Sequence, residues 1–411
     1  MDRPTETPLW NGALVALACG SLILLFSLGI RHAFGLFLQP VSVEQGWGRE
    51  VFGFAIALQN LVWGLAQPFT GMLADRHGAP RVVALGAVLY TAGLAIMSSV
   101  AGEPMFVLGV GVLVGLGLSG TTFPVIFGTI GRLVAPERRS LAMGITMSVG
   151  SFGQFIMLPV SLGLIGRLTW PVALLALAGF AALMIPLAVG LREAPRSQGD
   201  AAMAGPGAMA ALREAFGARD FWLLSLGFFV CGFQVVFIAV HLPAFLQDEG
   251  LNAMVATTVL ALIGLVNIAG TYYAGLWGGR RRKPALLAWI YLGRALAIAA
   301  FVWLPITELS AYAFGITMGL FWLSTVPLTN GTVASVWGVR HLSMLGGIVF
   351  LAHQLGSFAG GWLGGWLYDR SGSYDGAWTI AIGLSLVAAV LNWPVREGAE
   401  IAKPTPTRSD P

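Results

Sequence analysis

The chain has little charge and almost no cysteine. Asp, Glu, Lys and Arg make up only 10% of its 411 residues, against 56% hydrophobic, and the mean hydropathy is +0.79. About a quarter of a soluble globular domain is charged, so this composition excludes that class. The two cysteines, Cys19 and Cys231, sit in apolar runs with no ligand spacing around them, which predicts neither a disulfide framework nor a metal site. An intramembrane enzyme is disfavoured too: there is no H-E-x-x-H pair, no G-x-S-x-G elbow and no pair of aspartates within an apolar run. No cofactor is expected. The most consequential gap is acid. All 19 Asp and Glu fall outside the apolar runs, so no carboxylate is placed to neutralise a buried cation or to carry a proton inside the membrane.

What fills the chain instead is apolar sequence of membrane length. Twelve spanning helices are predicted at 13–38, 51–74, 82–101, 105–130, 141–165, 170–191, 221–246, 253–278, 284–305, 309–337, 343–367 and 376–395. Runs this long exclude a β-barrel, whose strands alternate over about ten residues. The first run is too long for a signal h-region, and no small-residue cleavage site follows it. The longest polar break opens at Arg192-Glu193-Ala194-Pro195-Arg196. It divides the chain into a six-helix half at 1–191, a linker at 192–220, a second six-helix half at 221–395 and a tail at 396–411.

Lys and Arg cluster on one side of these spans. Arg76, Arg81, Arg132, Arg138, Arg139 and the run Arg280-Arg281-Arg282-Lys283 share a face with both termini, whereas only Arg49, Arg167 and Arg370 fall opposite. The positive-inside rule therefore puts both termini in the cytoplasm, with the chain crossing the cell inner membrane many times. The net charge of +4 resides at membrane borders and gives no sign of a nucleic-acid partner.

Arg31 breaks the pattern. It lies inside the first span, in Gly29-Ile30-Arg31-His32-Ala33-Phe34-Gly35. A guanidinium at the centre of a spanning helix costs from about 2.5 to well over 10 kcal/mol, so one that persists faces a water-filled cavity or a partner and marks a substrate path. The competing reading is that its long side chain reaches out to the nearer interface. With no acid in the spans, the missing counter-charge points to the substrate itself. A planar guanidinium suits a carboxylate bidentately, which indicates an organic anion.

The halves also repeat. A shift of 204 residues lays Glu44-Gln45-Gly46 on Asp248-Glu249-Gly250, Gly71 on Gly275 and Pro80 on Pro284. Two six-helix halves in the same orientation are the parallel repeat of the major facilitator transporters. The loop after the second span, Gly71-Met72-Leu73-Ala74-Asp75-Arg76-His77-Gly78-Ala79-Pro80-Arg81, resembles that superfamily's signature G-x-L-a-D-r-x-G-r-k. The resemblance implies a gating loop of Gly71, Asp75, Arg76, Gly78 and Arg81 that latches the inner gate, its Asp and Arg touching neighbouring helix ends and charges. An ordinary cytoplasmic turn is the alternative. The counterpart after the eighth span has Gly279 in place of Asp75, so any latch is asymmetric.

Within the superfamily the chain is similar to the monocarboxylate and oxalate transporters. Arg138-Arg139-Ser140-Leu141-Ala142-Met143-Gly144-Ile145-Thr146-Met147-Ser148-Val149-Gly150 resembles that branch's R-R-P-L-A-N-G-L-A-x-x-G stretch, and Arg31 falls where the branch carries a substrate-linked lysine. His353, in Leu351-Ala352-His353-Gln354, falls roughly where oxalate transporters carry a lysine, and an imidazole switches charge near neutral pH. One departure matters: the branch's Asp and Arg of the eighth span are replaced by Asn267 and Thr271, which puts its proton relay in doubt. The resemblance also implies which spans line the cavity, and so nominates Asn267, Gln154, Asn330 and Gln234 beside Arg31 and His353 for substrate binding. Each amide is equally able to be a plain interhelical hydrogen bond. Arg294 is central in the ninth span, a peripheral helix in this fold, and is either a structural charge or a site residue.

The expectation is an all-α membrane protein of twelve helices in two pseudo-symmetric halves, a monomer moving a small organic anion, first a monocarboxylate, by alternating access. Protons are a candidate coupling ion, and symport, exchange and uniport stay open. The alternative is a major facilitator exporter of a drug-like or siderophore-like compound, although a proton-driven exporter usually shows an intramembrane acid.

Overall fold

A computed structural model describes residues 9–47, 49–99, 102–193 and 207–397, and among them every regular element is helical. The middle of the expected linker, 194–206, and most of the expected tail, 398–411, lie outside the described residues. The first half is built from α1 (Leu9–His32), α2 (Arg49–His77), α3 (Ala79–Ser99), α4 (Glu103–Leu133), α5 (Pro136–Arg167) and α6 (Trp170–Leu191). The second is built from α7 (Arg219–Asp248), α8 (Ala253–Gly278), α9 (Lys283–Trp303), α10 (Glu308–Trp337), α11 (Leu342–Ser371) and α12 (Asp375–Asn392). A short helix, Ala208–Gly217, precedes α7.

Eleven of these helices are long and apolar enough to cross a membrane by length and composition alone. The remaining one, α2, has the length, at 29 residues, but carries Gln59, Asn60, Gln67 and Thr70, which lower its hydropathy. Gln59, Gln67 and Thr70 donate to backbone carbonyls of α4, at Val110 and Ser119.

Proline sets the breaks. α4 opens at Thr122, whose backbone is extended, because Pro124 has no N–H and its ring conflicts with the carbonyl one turn earlier. α10 opens in the same way across Trp322–Ser324, ahead of Pro327. The two breaks occupy equivalent places in the two halves.

The packing repeats as the sequence does. α1 lies along α5 as α7 lies along α11, α2 along α4 as α8 along α10, and α3 along α6 as α9 along α12. The halves meet along two seams, α2 against α11 and α5 against α8. Glycine permits the approach: a Cβ on Gly71 would come within 2.2 Å of the Ser343 carbonyl oxygen, and one on Gly144 within 2.6 Å of the Gly275 Cα. Both seams are closed from the end bearing the α2–α3 turn to about mid-height, where Ser151 meets Asn267 and Asn60 meets Gln354. Beyond them Gly163, Gly166 and Gly264 face open space, and Phe358 and Trp362, on the stripe of α11 that continues Leu351 and Gln354, are 56% and 57% exposed. Among the described residues, α1 and α7 share no extended packing face. The bundle is sealed at one end and parted at the other.

Candidate functional site

The sealed end is held by a carboxylate. Asp75, at the end of α2, is buried and accepts from the Met344 N–H at 2.9 Å and more weakly from the Ser343 N–H at 3.4 Å. These are first-turn donors of α11, so a side chain of one half stabilises the positive helix end of the other. Asp75 is also paired with Arg132 at 2.7 Å, and Arg132 grips Glu193 through Nε and a terminal nitrogen at 2.8 to 3.0 Å. Gly71 allows the contact, and Gly78, at φ +88°, supplies the left-handed residue that ends α2. Arg76 and Arg81 are exposed and have no ion-pair partner among the described residues. The partner of Asp75 is therefore Arg132, which the sequence marked only as one more basic residue at a span border.

Arg31 lies at the top of the closed seam, where the parted region begins. It is half-buried, its terminal nitrogen donates to Asn60 Oδ1 at 2.5 Å, and its guanidinium carbon stands 5.1 Å above the Trp63 ring, a cation–π contact. The ring is fixed from below, since Trp63 Nε1 donates to Gln67 at 2.9 Å and to Thr122, at the α4 break, at 3.2 Å. Gln354 of α11 donates to the Asn60 carbonyl at 3.1 Å and meets its neighbour His353 at 3.2 Å. His353 in turn stacks on Phe350, which packs on Trp63. Residues of α1, α2 and α11, and so of both halves, share this group. No carboxylate joins it among the described residues, and Arg31 Nε has no hydrogen-bond partner. The arrangement is a cation with spare donors over an aromatic floor.

The other nominated residues fall elsewhere. Gln154 is buried near Gly153 and Gly29 and makes no hydrogen bond among the described residues. Asn267 bridges the second seam, donating to Ser151 at 2.8 Å and accepting from the Leu323 N–H at 2.9 Å. Asn330 lies toward the sealed end; its amide nitrogen donates to the Val326 carbonyl and its Oδ1 faces Gly346. Gln234 turns away from Arg31, donating to Ala381 and Ser385 of α12. Arg294 belongs with it. That guanidinium is fully buried and donates to the Phe321 and Trp322 carbonyls, freed by the α10 break, to Gln234 at 3.2 Å and to Cys231 at 3.5 Å. The residues missed by sequence reasoning are Trp63 and Phe350, aromatics among many.

Two six-helix halves meeting at a half-open seam, with a charge at its middle, define a transporter bundle. A family model described as Major Facilitator Superfamily matches residues 12–361, and the chain belongs to that superfamily. It is a transporter and not an enzyme. It is 24% identical over 399 residues to monocarboxylate transporter 13 of Rattus norvegicus, covering 93% of this chain and 88% of that one. It is 26% identical to monocarboxylate transporter 11 of Mus musculus, covering 90% and 83%. An uncharacterized MFS-type transporter of Bacillus subtilis, YcxA, is 24% identical, covering 85% and 87%. Among solved structures, the E. coli fucose:proton symporter FucP superposes with a TM-score of 0.71 at 14% identity, over 93% and 98% of the two chains. The proton:xylose symporter XylE also reaches 0.71 at 16% identity, over 95% and 96%.

Proposed function

We propose that this protein carries a small organic anion, with monocarboxylates first, across the cell inner membrane by alternating access. The observation that carries the proposal is Arg31: a half-buried guanidinium at the seam between the halves, with an unpartnered nitrogen and, among the described residues, no carboxylate beside it. A substrate carboxylate supplies the missing charge, docking on the guanidinium fork above Trp63. The names of the mammalian relatives favour the same class. With both termini cytoplasmic, as the Lys and Arg distribution requires, the Asp75 latch closes the cytoplasmic side and the parted end opens outward. Binding between Arg31 of α1 and the His353–Gln354 pair of α11 would draw the parted ends together, and release of the latch would open the other side.

His353 is the one imidazole of this group, and its ring nitrogens can take or give a proton. Proton coupling would therefore pass through it, and His353→Gln would flatten the pH dependence of uptake without abolishing uptake.

The test is counterflow of labelled lactate, pyruvate, oxalate and larger aromatic acids in proteoliposomes, wild type beside Arg31→Gln. Carriage of one acid that the substitution abolishes, with an unchanged melting temperature, supports the reading and names the substrate. Equal transport by the variant, or no carriage of any acid, overturns it in favour of an exporter of a drug-like or siderophore-like compound.

A further inference from the structure

The α8–α9 turn is the repeat-mate of the latch, and it does different chemistry. Gly279 stands where the other half has Asp75, so the turn has no carboxylate to offer a neighbouring helix end. Instead Arg280, Arg281 and Arg282 border a cavity of about 770 Å³ together with Trp277, Trp289 and Leu286. Arg282 is tethered, donating to the Val395 carbonyl at 2.9 Å beyond the end of α12. Arg280 and Arg281 are exposed and have no acidic partner among the described residues. Arg280 and Arg281, side by side at the rim, repel each other and make the cavity attractive to an anion.

Two further observations say what kind of anion. One side of the cavity is the first turn of α9, a 21-residue helix whose N-cap, Arg282, makes no side-chain capping bond, so its amide donors add to the positive field. The rest is apolar. Trp277 and Trp289 are 54% and 58% exposed, and Trp289 packs edge-on against Trp393, itself 54% exposed, at 6.0 Å. Exposed indoles at helix ends sit at headgroup depth, where one end of the ring is apolar and the other wet. A free inorganic anion would make no use of those indoles or of Leu286; an anion carrying acyl chains would use both.

We propose that this cavity is a binding site for the headgroup of an anionic phospholipid, its phosphate held by Arg280, Arg281 and the start of α9, and its chains laid along Trp277, Trp289 and Leu286. The repeat has thus diverged, one turn latching the two halves and its mate anchoring the second half to the leaflet.

The test is native mass spectrometry of the full chain in detergent, titrated with phosphatidylglycerol, phosphatidylcholine or inorganic phosphate. Wild type should retain phosphatidylglycerol in clear preference to phosphatidylcholine. The Arg280→Gln plus Arg281→Gln variant should bind phosphatidylglycerol about thirtyfold more weakly, since each basic residue near an anionic headgroup contributes roughly fivefold. The Arg280→Lys plus Arg281→Lys variant should keep most of the preference, and if the glutamine pair fails to fold, Arg281→Glu decides in the same titration. Equal retention of the two lipids, or an unchanged preference in the glutamine or glutamate variant, overturns the proposal. Displacement of phosphatidylglycerol by millimolar inorganic phosphate also overturns it, because the site would then take a free anion.

Discussion

Arg31 and Arg294 lie well inside the apolar runs, one in each half, and they differ in how much of their hydrogen-bonding capacity the protein uses. Arg294 is wholly buried, with two backbone carbonyls, an amide oxygen and a thiol around it. It closes the polar gap that the α10 break leaves, so the helix break and the charge solve each other's problem. Arg31 is half-buried, has one fixed acceptor in Asn60 and keeps a nitrogen unpartnered. Burial alone would rank Arg294 as the functional charge. Counting fixed acceptors reverses the ranking, because a guanidinium already satisfied has little to gain from a ligand, whereas an unsatisfied one does.

The comparison breaks most visibly at Arg294. Arg294→Met leaves the Phe321 and Trp322 carbonyls and Gln234 without their donor in a buried place. At about 1–3 kcal/mol for each unsatisfied group the variant should lose roughly 3 kcal/mol or more. Thermal melting in detergent reads this, with Arg31→Gln melting near wild type alongside it. Equal losses in the two would erase the distinction. Next in size is Asn60→Asp, which gives Arg31 a charged acceptor and makes it resemble Arg294. A hydrogen bond to a charged group is worth about 1.5–3 kcal/mol, so substrate affinity should fall roughly ten- to a hundredfold as the variant grows no less stable. Counterflow and melting together check both signs.

Asp75→Asn should have a moderate effect, confined to the latch. A carboxylate at a partly buried helix N-terminus contributes up to about 2 kcal/mol, so the sealed arrangement should weaken about tenfold or more. Thiol labelling of Ser343→Cys, at a position fully buried in the seam, should speed up accordingly. The smallest effect belongs to Cys231→Ala, which removes the longest of the Arg294 contacts, at 3.5 Å, and should shift stability by about 1 kcal/mol or less.

Much of this was legible in the residues alone. Span lengths predicted the helices, the polar break and the repeat predicted two halves, and the cost of a charge in hydrocarbon singled out Arg31. The Gly71–Arg81 signature pointed to a latch, and its missing acid at Gly279 to an asymmetric one. The partners were not legible. Nothing near Asp75 in the chain names Arg132, 57 residues on, or the backbone of Met344 in the other half. The amides Gln234, Asn267 and Asn330 looked alike as liners, yet one faces α12, one bridges α5 and α10, and one lies near the sealed end.

By itself, then, the sequence determined that the chain is a bundle of membrane helices with one conspicuous unpaired charge in its first half. Transfer free energy depends on composition and run length, and both are local. Only the tertiary structure decided which acceptors Arg31 and Arg294 each meet, which partners Asp75 holds and which side chains share a cavity with the arginines of the α8–α9 turn. Hydrogen bonds and ion pairs act over about 3 Å, and helix packing sets which side chains come that close.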